Sequence, residues 1–188
     1  VDALLSKSYL SKRAGLISTE RTMGKATAGI PLNIGREWGS GEALEFPSTS
    51  HLSVIDGDGN AVSMTTTIES SFGSRLMTRG FMLNNQMTDF SFHPSIQGRP
   101  IANRIAPGKR PRSSMSPTLV FDRGGKLVLT VGSPGGSRII GYVVKALVAA
   151  LDWKLDLAAA FALPNHVNRN GPIDLESGTR LIQIKSNL

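Results

Sequence analysis

Two hydrophobic patterns divide the chain. Between residues 51 and 131 apolar and β-branched positions come in short runs broken by turn residues; after Gly136 they recur every three or four residues. His51-Leu52-Ser53-Val54-Ile55 predicts a short strand, and Ala61 to Ile68, rich in Val and Thr, predicts its partner. The intervening Asp56-Gly57-Asp58-Gly59-Asn60 predicts a hairpin turn, because Gly and Asn accept positive φ. A second hairpin is expected from Thr118-Leu119-Val120-Phe121, the turn Asp122-Arg123-Gly124-Gly125, and Leu127-Val128-Leu129-Thr130-Val131. Residues 84–116 are rich in Asn, Pro and Ser and predict mostly loop.

Ile139, Ile140, Val143, Val144, Leu147, Val148 and Leu151 form one broad apolar face on a helix opening near Gly136-Ser137. Asp156 predicts the N-cap of a second helix that runs through Phe161 until Pro164 stops it. Residues 2–23 predict a helix or helix pair ending near Gly24, and the chain's end reads as a strand. Residues 24–48 are punctuated by Gly, Pro and Ser, which predicts an exposed linker. Hairpins followed by helices predict an α+β layered domain.

Composition narrows the chemistry. The 188 residues include no cysteine, which excludes disulfides, thiolate metal sites, iron–sulfur clusters and a cysteine nucleophile. The net charge of +7 is concentrated in residues 75–138, where ten Lys and Arg face only Asp89 and Asp122. Such a segment attracts anions, either small carboxylates or polyanions. The aromatics, 6% of the chain, do not interleave with the arginines as in single-strand binders, so a nucleic-acid-binding module is the distant alternative. His51, His93 and His166 are scattered without ligand spacing, and neither metal nor cofactor is expected. No run approaches the roughly 20 apolar residues of a membrane span. Val1-Asp2-Ala3 does not open like a signal peptide and lacks an initiator Met, so the chain reads as a piece of a longer one, with periplasm and cytoplasm both open.

Thr49 stands where the linker meets the first strand. It is either an ordinary strand residue or a nucleophile freed by cleavage after Ser48. An N-terminal Thr would need no Cys or His partner, because its α-amine titrates near pH ~7–8 and can take the proton of its own hydroxyl. Gly135-Gly136 before a helix is likewise either a helix start or a pair of amides aimed at an anion.

Four ordered blocks favour the catalytic readings. The first runs Thr49-Ser50-His51-Leu52-Ser53-Val54, then Gly59-Asn60-Ala61-Val62-Ser63-Met64-Thr65-Thr66-Thr67-Ile68-Glu69-Ser70-Ser71-Phe72-Gly73. Leu83-Asn84-Asn85-Gln86-Met87-Thr88-Asp89-Phe90, Lys109-Arg110-Pro111-Arg112-Ser113-Ser114-Met115-Ser116-Pro117-Thr118 and Gly132-Ser133-Pro134-Gly135-Gly136-Ser137-Arg138 follow. Together they resemble the γ-glutamyltranspeptidases, N-terminal-nucleophile hydrolases that cleave their own precursor. The resemblance implies part of a four-layer αββα sandwich. Residues 1–48 would be the tail of the large subunit, and residues 49–188 most of the small subunit.

The resemblance also implies roles. Thr49 would be the nucleophile, released by cleavage between Ser48 and Thr49, and Thr67 the second Thr, bonded to it. Gln86 and Asp89 would hold the α-amino group of a γ-glutamyl donor such as glutathione, and Ser113 and Ser114 its α-carboxylate. Gly135 and Gly136 would form the oxyanion hole. Glu69 replaces the Asn that many members use at the α-amino group, which raises a glutaryl (cephalosporin) acylase as the alternative. The implied partners are the large subunit, which brings a carboxylate-binding Arg, and an amino-acid, peptide or water acceptor. Arg138 either steers anions or pairs with a nearby acid, and His51 is expected to be a strand residue beside the nucleophile.

Overall fold

The computed structural model describes residues 2–31, 38–41 and 48–187. Much of the expected linker, residues 32–37 and 42–47, lies outside them.

The N-terminal helical region is a pair, α1 (Asp2–Leu5) and α2 (Lys7–Ala14), divided by Ser6, whose hydroxyl caps Tyr9 N–H at 3.3 Å. It ends at Gly15, well before the expected Gly24. Leu16-Ile17-Ser18-Thr19 offers β-branched and self-bonding side chains in place of a continuing helical face.

Both predicted hairpins form. β1 (Ser50–Ile55) pairs antiparallel with β2 (Ala61–Thr66), and β7 (Thr118–Phe121) with β8 (Leu127–Val131). Each turn is closed by an aspartate. Asp56 accepts from the N–H groups of Asp58 and Asn60, and Asp122 from those of Gly124 and Lys126. The Asn60 side-chain amide and nearby N–H groups hold the Asp56 carboxyl below the usual carboxylate range. The loop between the hairpins contains the small ladders β3–β4 (Met77–Thr78, Phe81–Met82) and β5–β6 (Ser95–Ile96, Arg99–Pro100), and one tight helical turn at Gln86–Asp89.

The core lies between the second hairpin and α3 (Ile139–Leu147). Leu129 and Val131 pack against Ile139, Val143 and Ala146, with Met115, Val120, Leu147 and Ala150 at the margin. A π-helical turn, Val148–Asp152, extends α3. Asp156 caps α4 (Leu157–Ala162) by accepting from Ala159 N–H at 3.0 Å, as its position predicts. β9 (His166–Asn168) and β10 (Ile173–Leu175) form the last ladder, and Val167 packs on Gly141 of α3. The final residues, Arg180–Asn187, make a tight helical turn rather than the expected strand. The fold is α+β, and no helix among the described residues is long and apolar enough to cross a membrane.

Hydrophobic residues remain exposed on one face of the first hairpin. Leu52, Val54, Val62 and Met64 share that face through the pairs Leu52–Met64 and Val54–Val62. The alternate residues turn to the second hairpin, where Ser53 Oγ lies 3.1 Å from Thr130 Oγ1 and Ser63 donates to the Val131 carbonyl.

Candidate active site

Thr49 precedes β1 by one residue, and Thr67 follows β2 by one. The register, in which Ser50 faces Thr66, sets Thr49 opposite Thr67 when continued one step. β2 itself ends at Thr66, two residues short of the expected Ile68. There the backbone turns, and the Thr67 hydroxyl accepts from Glu69 N–H at 2.9 Å while donating to the Ser48 carbonyl at 2.6 Å. The Ser48 hydroxyl donates in turn to the Glu69 carbonyl. These bonds hold the Ser48–Thr49 peptide against the turn 67–69.

Glu69 is buried at 6% exposure and has φ 75°. The left-handed region costs a residue with a Cβ about 1–2 kcal/mol. It is a position that Asn takes more readily than Glu. The next turn brings up Gln86 and Asp89, joined by a hydrogen bond from Gln86 Nε2 to Asp89 Oδ2. The Asn85 side chain fixes this turn to the first one by accepting from Ser70 N–H at 3.0 Å.

Ser113 and Ser114 lie in the extended segment before β7. Ser113 Oγ accepts from Met115 N–H at 3.2 Å, and Met115 enters the core, which anchors the pair of serines from behind. Gly135 and Gly136 follow β8 with φ of 133° and 58°, values that favour glycine. A Cβ on Gly135 would stand 2.9 Å from the Tyr142 ring. The chain then makes one tight turn, Gly136–Arg138, and enters α3. Arg138 pairs with Asp174 through Nε at 2.9 Å and a second nitrogen at 2.8 Å, which ties this turn to β10. Of the two roles open to Arg138, pairing with an acid is the one observed.

A small cavity of about 50 Å³ collects these residues. Thr49, Thr67, Glu69, Gln86, Asp89, Ser113, Ser114 and Gly136 all line it, together with Arg112, Met115, Ser137 and Ile139. Gly135 is one residue away and is not part of the wall. Ser48 is not part of the wall either. The wall therefore offers two threonine hydroxyls, two carboxylates, a guanidinium, three serines and the mouth of a glycine turn. Arg112 belongs to the same motif block as Ser113, but the sequence assigns it no role. A larger open cleft of about 990 Å³ includes Gly132, Ser133, Pro134, Tyr142, Lys145 and His166, but none of the predicted catalytic or binding residues. Burial there pushes the Lys145 ammonium down in pKa, with Glu176 opposing, and its Nζ donates to the Leu163 carbonyl at 2.6 Å.

His51 is more than a neighbour of Thr49 in the chain. Its Nδ1 lies 2.8 Å from Thr65 Oγ1 and its Nε2 3.2 Å from Ser53 Oγ. The ring also fills the space beside Gly132, where any Cβ would collide with it. Gly132 begins the loop that ends in Gly135 and Gly136. One imidazole thus stands between β1 and the start of the glycine loop.

The sequence model of the gamma-glutamyltranspeptidase family matches residues 1–186. The glutathione hydrolase proenzyme of Bacillus subtilis (strain 168) is 38% identical over 169 residues, which cover 86% of the chain and 28% of that relative. The acylase ACY 1 proenzyme of a Pseudomonas species (strain V22) is 34% identical over 178 residues, covering 94% of the chain and 29% of the relative. In structure, a mutant of the Helicobacter pylori gamma-glutamyltranspeptidase superposes with a TM-score of 0.62 at 40% identity, covering 73% of the chain and 78% of its own. The chain spans under a third of the length of these curated relatives.

Proposed function

The chain belongs to the gamma-glutamyltranspeptidase family, and from that premise we propose that it carries the catalytic part of an N-terminal-nucleophile amidohydrolase and acyltransferase. The observation that supports this reading is the single cavity shared by Thr49, Thr67, Glu69, Gln86, Asp89, Ser113, Ser114 and Gly136. These residues come from four separate stretches of sequence.

The proposed life of the protein has two stages. In the precursor, the Thr49 hydroxyl attacks the carbonyl carbon of Ser48. The C–N bond breaks, its nitrogen takes the proton, and an ester to Thr49 Oγ replaces the peptide. Water hydrolyses the ester, leaving a carboxylate on Ser48 and a free α-amine on Thr49. In turnover that amine takes the proton of its own hydroxyl, and Oγ attacks the γ-glutamyl carbonyl. The amides of Gly135 and Gly136 hold the developing oxyanion. The leaving amine departs with the proton, and water or an acceptor amine resolves the acyl-enzyme.

Donor recognition follows from charge. Glu69 and Asp89 bind an α-ammonium, with Gln86 orienting Asp89, and Ser113 and Ser114 bind the α-carboxylate. Glutathione is the donor named for the Bacillus relative and fits this pattern. In this reading residues 1–48 are the tail of a large subunit, and residues 49–188 belong to the small one. The exposed apolar face of Leu52, Val54, Val62 and Met64 supports a further layer on the first hairpin, as a four-layer αββα sandwich requires.

A second reading keeps the mechanism and changes the acyl group to glutaryl. The likeness to an acylase and the Glu at position 69 favour it. The deciding experiment expresses the full-length precursor and identifies the N-terminal residue of the small chain. Thr49 there, with release of aniline from a γ-glutamyl anilide, supports the proposal. An intact Ser48–Thr49 bond in active enzyme overturns it.

A further inference from the structure

Two stretches that line the cavity, 86–89 and 112–114, are separated by a long excursion of chain whose only regular structure is the small ladder β5–β6. The Asn103 side chain joins them. Asn103 Nδ2 donates to the Asp89 carbonyl at 2.6 Å, and Asn103 Oδ1 accepts from Arg112 N–H at 3.0 Å. Its own backbone is anchored as well, since the Asn103 carbonyl accepts from Ser91 N–H at 2.9 Å. Ser91 and the flanking Phe90 and Ile101 are buried, so the clamp stands on a firm base.

We propose that Asn103 is a positioning residue for donor selectivity, holding the ammonium-binding and carboxylate-binding segments at the separation that a zwitterionic amino-acid head requires. This rests on the γ-glutamyl reading of the cavity. The chemistry of the clamp is specific. A carboxamide offers one N–H to a carbonyl and one oxygen to an N–H at the same time. Alanine removes both bonds. Aspartate is nearly the same size, but it sets a carboxylate oxygen against the Asp89 carbonyl.

A zwitterionic head is gripped at two points, so a small change in their separation weakens both contacts. A glutaryl donor has no ammonium and is indifferent to the position of Asp89. Misplacement by about 1 Å can cost as much as ~10² in rate when geometry is matched at two points. Asn103 touches neither Thr49 nor the glycine turn in the bonds it makes.

The test uses the full-length enzyme as wild type, Asn103→Ala and Asn103→Asp, with matched γ-glutamyl and glutaryl anilides. Self-cleavage into two chains serves as the folding control. Both variants are expected to process at the wild-type rate. The KM for the γ-glutamyl anilide should rise about tenfold, with kcat little changed and the glutaryl KM moving less than about threefold. Asn103→Asp should be at least as impaired as Asn103→Ala, which a space-filling role would not produce. An unchanged ratio of the two donors in both variants overturns the inference, and so does failure of both to process, which would make Asn103 a folding residue. The γ-glutamyl reading is judged separately, on wild type alone: if wild type prefers the glutaryl anilide, that reading fails, while the variant-to-wild-type ratio still decides the role of Asn103; wild type that cleaves neither anilide overturns both.

Discussion

The Thr67 hydroxyl donates its hydrogen to the carbonyl oxygen of Ser48 at 2.6 Å. That oxygen belongs to the peptide bond before Thr49. The Thr67 oxygen also accepts from Glu69 N–H, which polarises the O–H toward Ser48. In the proposed self-cleavage, a donor fixed on this carbonyl draws electrons from the carbon that Thr49 attacks, and it stabilises the negative charge that forms on the oxygen. The proposed mechanism therefore gives Thr67 a part in self-cleavage of the uncut chain.

Thr67→Val keeps the shape of the side chain and removes the donor. Losing one oxyanion donor costs about 10²–10³ in rate. Self-cleavage of the full-length precursor, followed by gel or intact mass, should slow by a factor in that range. Thr67→Ser should stay within about tenfold of wild type. Equal processing rates for Val and wild type would remove Thr67 from the cleavage step.

Gly136 tests the proposed oxyanion role of the glycine turn in substrate turnover. Its φ of 58° and its place in the cavity wall leave little tolerance for a branched side chain. Gly136→Val should lower kcat on a γ-glutamyl anilide by about 10²-fold or more, with a smaller change in KM. Near wild-type kcat in a processed, folded variant would reduce this turn to a helix entry.

The hairpins and helices of this protein are legible because their signals are local. Asp56 and Asp122 close turns with their own side chains, and Asp156 caps α4 three residues on. Thr49, Thr67, Glu69, Gln86, Asp89, Ser113, Ser114 and Gly136 were accessible only through the ordered motif blocks, because no periodicity says that these stretches meet. Asn103 was silent for the same reason: its partners lie 14 and 9 residues away in irregular chain. The end of α2 was misjudged because Gly15 stops the helix before the stronger-looking Gly24. The terminal turn at Arg180–Asn187 was read as a strand because Leu181, Ile182 and Ile184 suit either structure.

Glu69 governs donor choice in the proposed mechanism. It shares the cavity with Asp89 and with the Arg112 guanidinium, and two carboxylates against one guanidinium leave the wall net negative, which favours a cation. Processed wild-type enzyme should therefore prefer a γ-glutamyl anilide over the glutaryl one by at least about tenfold in kcat/KM, or ~1.4 kcal/mol. Glu69→Gln removes one anion and should shrink that preference severalfold. Preference for the glutaryl donor in wild type would instead support the acylase reading, with Glu69 turned toward a basic neighbour such as Arg75 or Arg79.

His51 and Gly132 form the last testable pair. The imidazole occupies the space that a Cβ on Gly132 would need, and it is held there by Thr65 and Ser53. Gly132→Ala should therefore push the ring and the loop apart, moving Gly135 and Gly136 away from Thr49. In the His51→Ala background the obstacle is gone, and the same substitution should cost far less. A double-mutant cycle on kcat isolates this coupling, because each single change disturbs one side of the same contact. Residues in direct contact typically couple by about 0.5–3 kcal/mol, and about 1 kcal/mol or more is expected here. The four proteins are compared after processing, with thermal melts to separate loss of fold from loss of alignment. Additive effects within about 0.3 kcal/mol would mean that His51 and the glycine loop act independently. Strong coupling in kcat at unchanged KM would assign the imidazole to aligning the nucleophile with the oxyanion hole, a role independent of its acid–base chemistry. The pH profile of kcat in His51→Gln should then keep its wild-type shape, because the base in the proposed mechanism is the α-amine of Thr49.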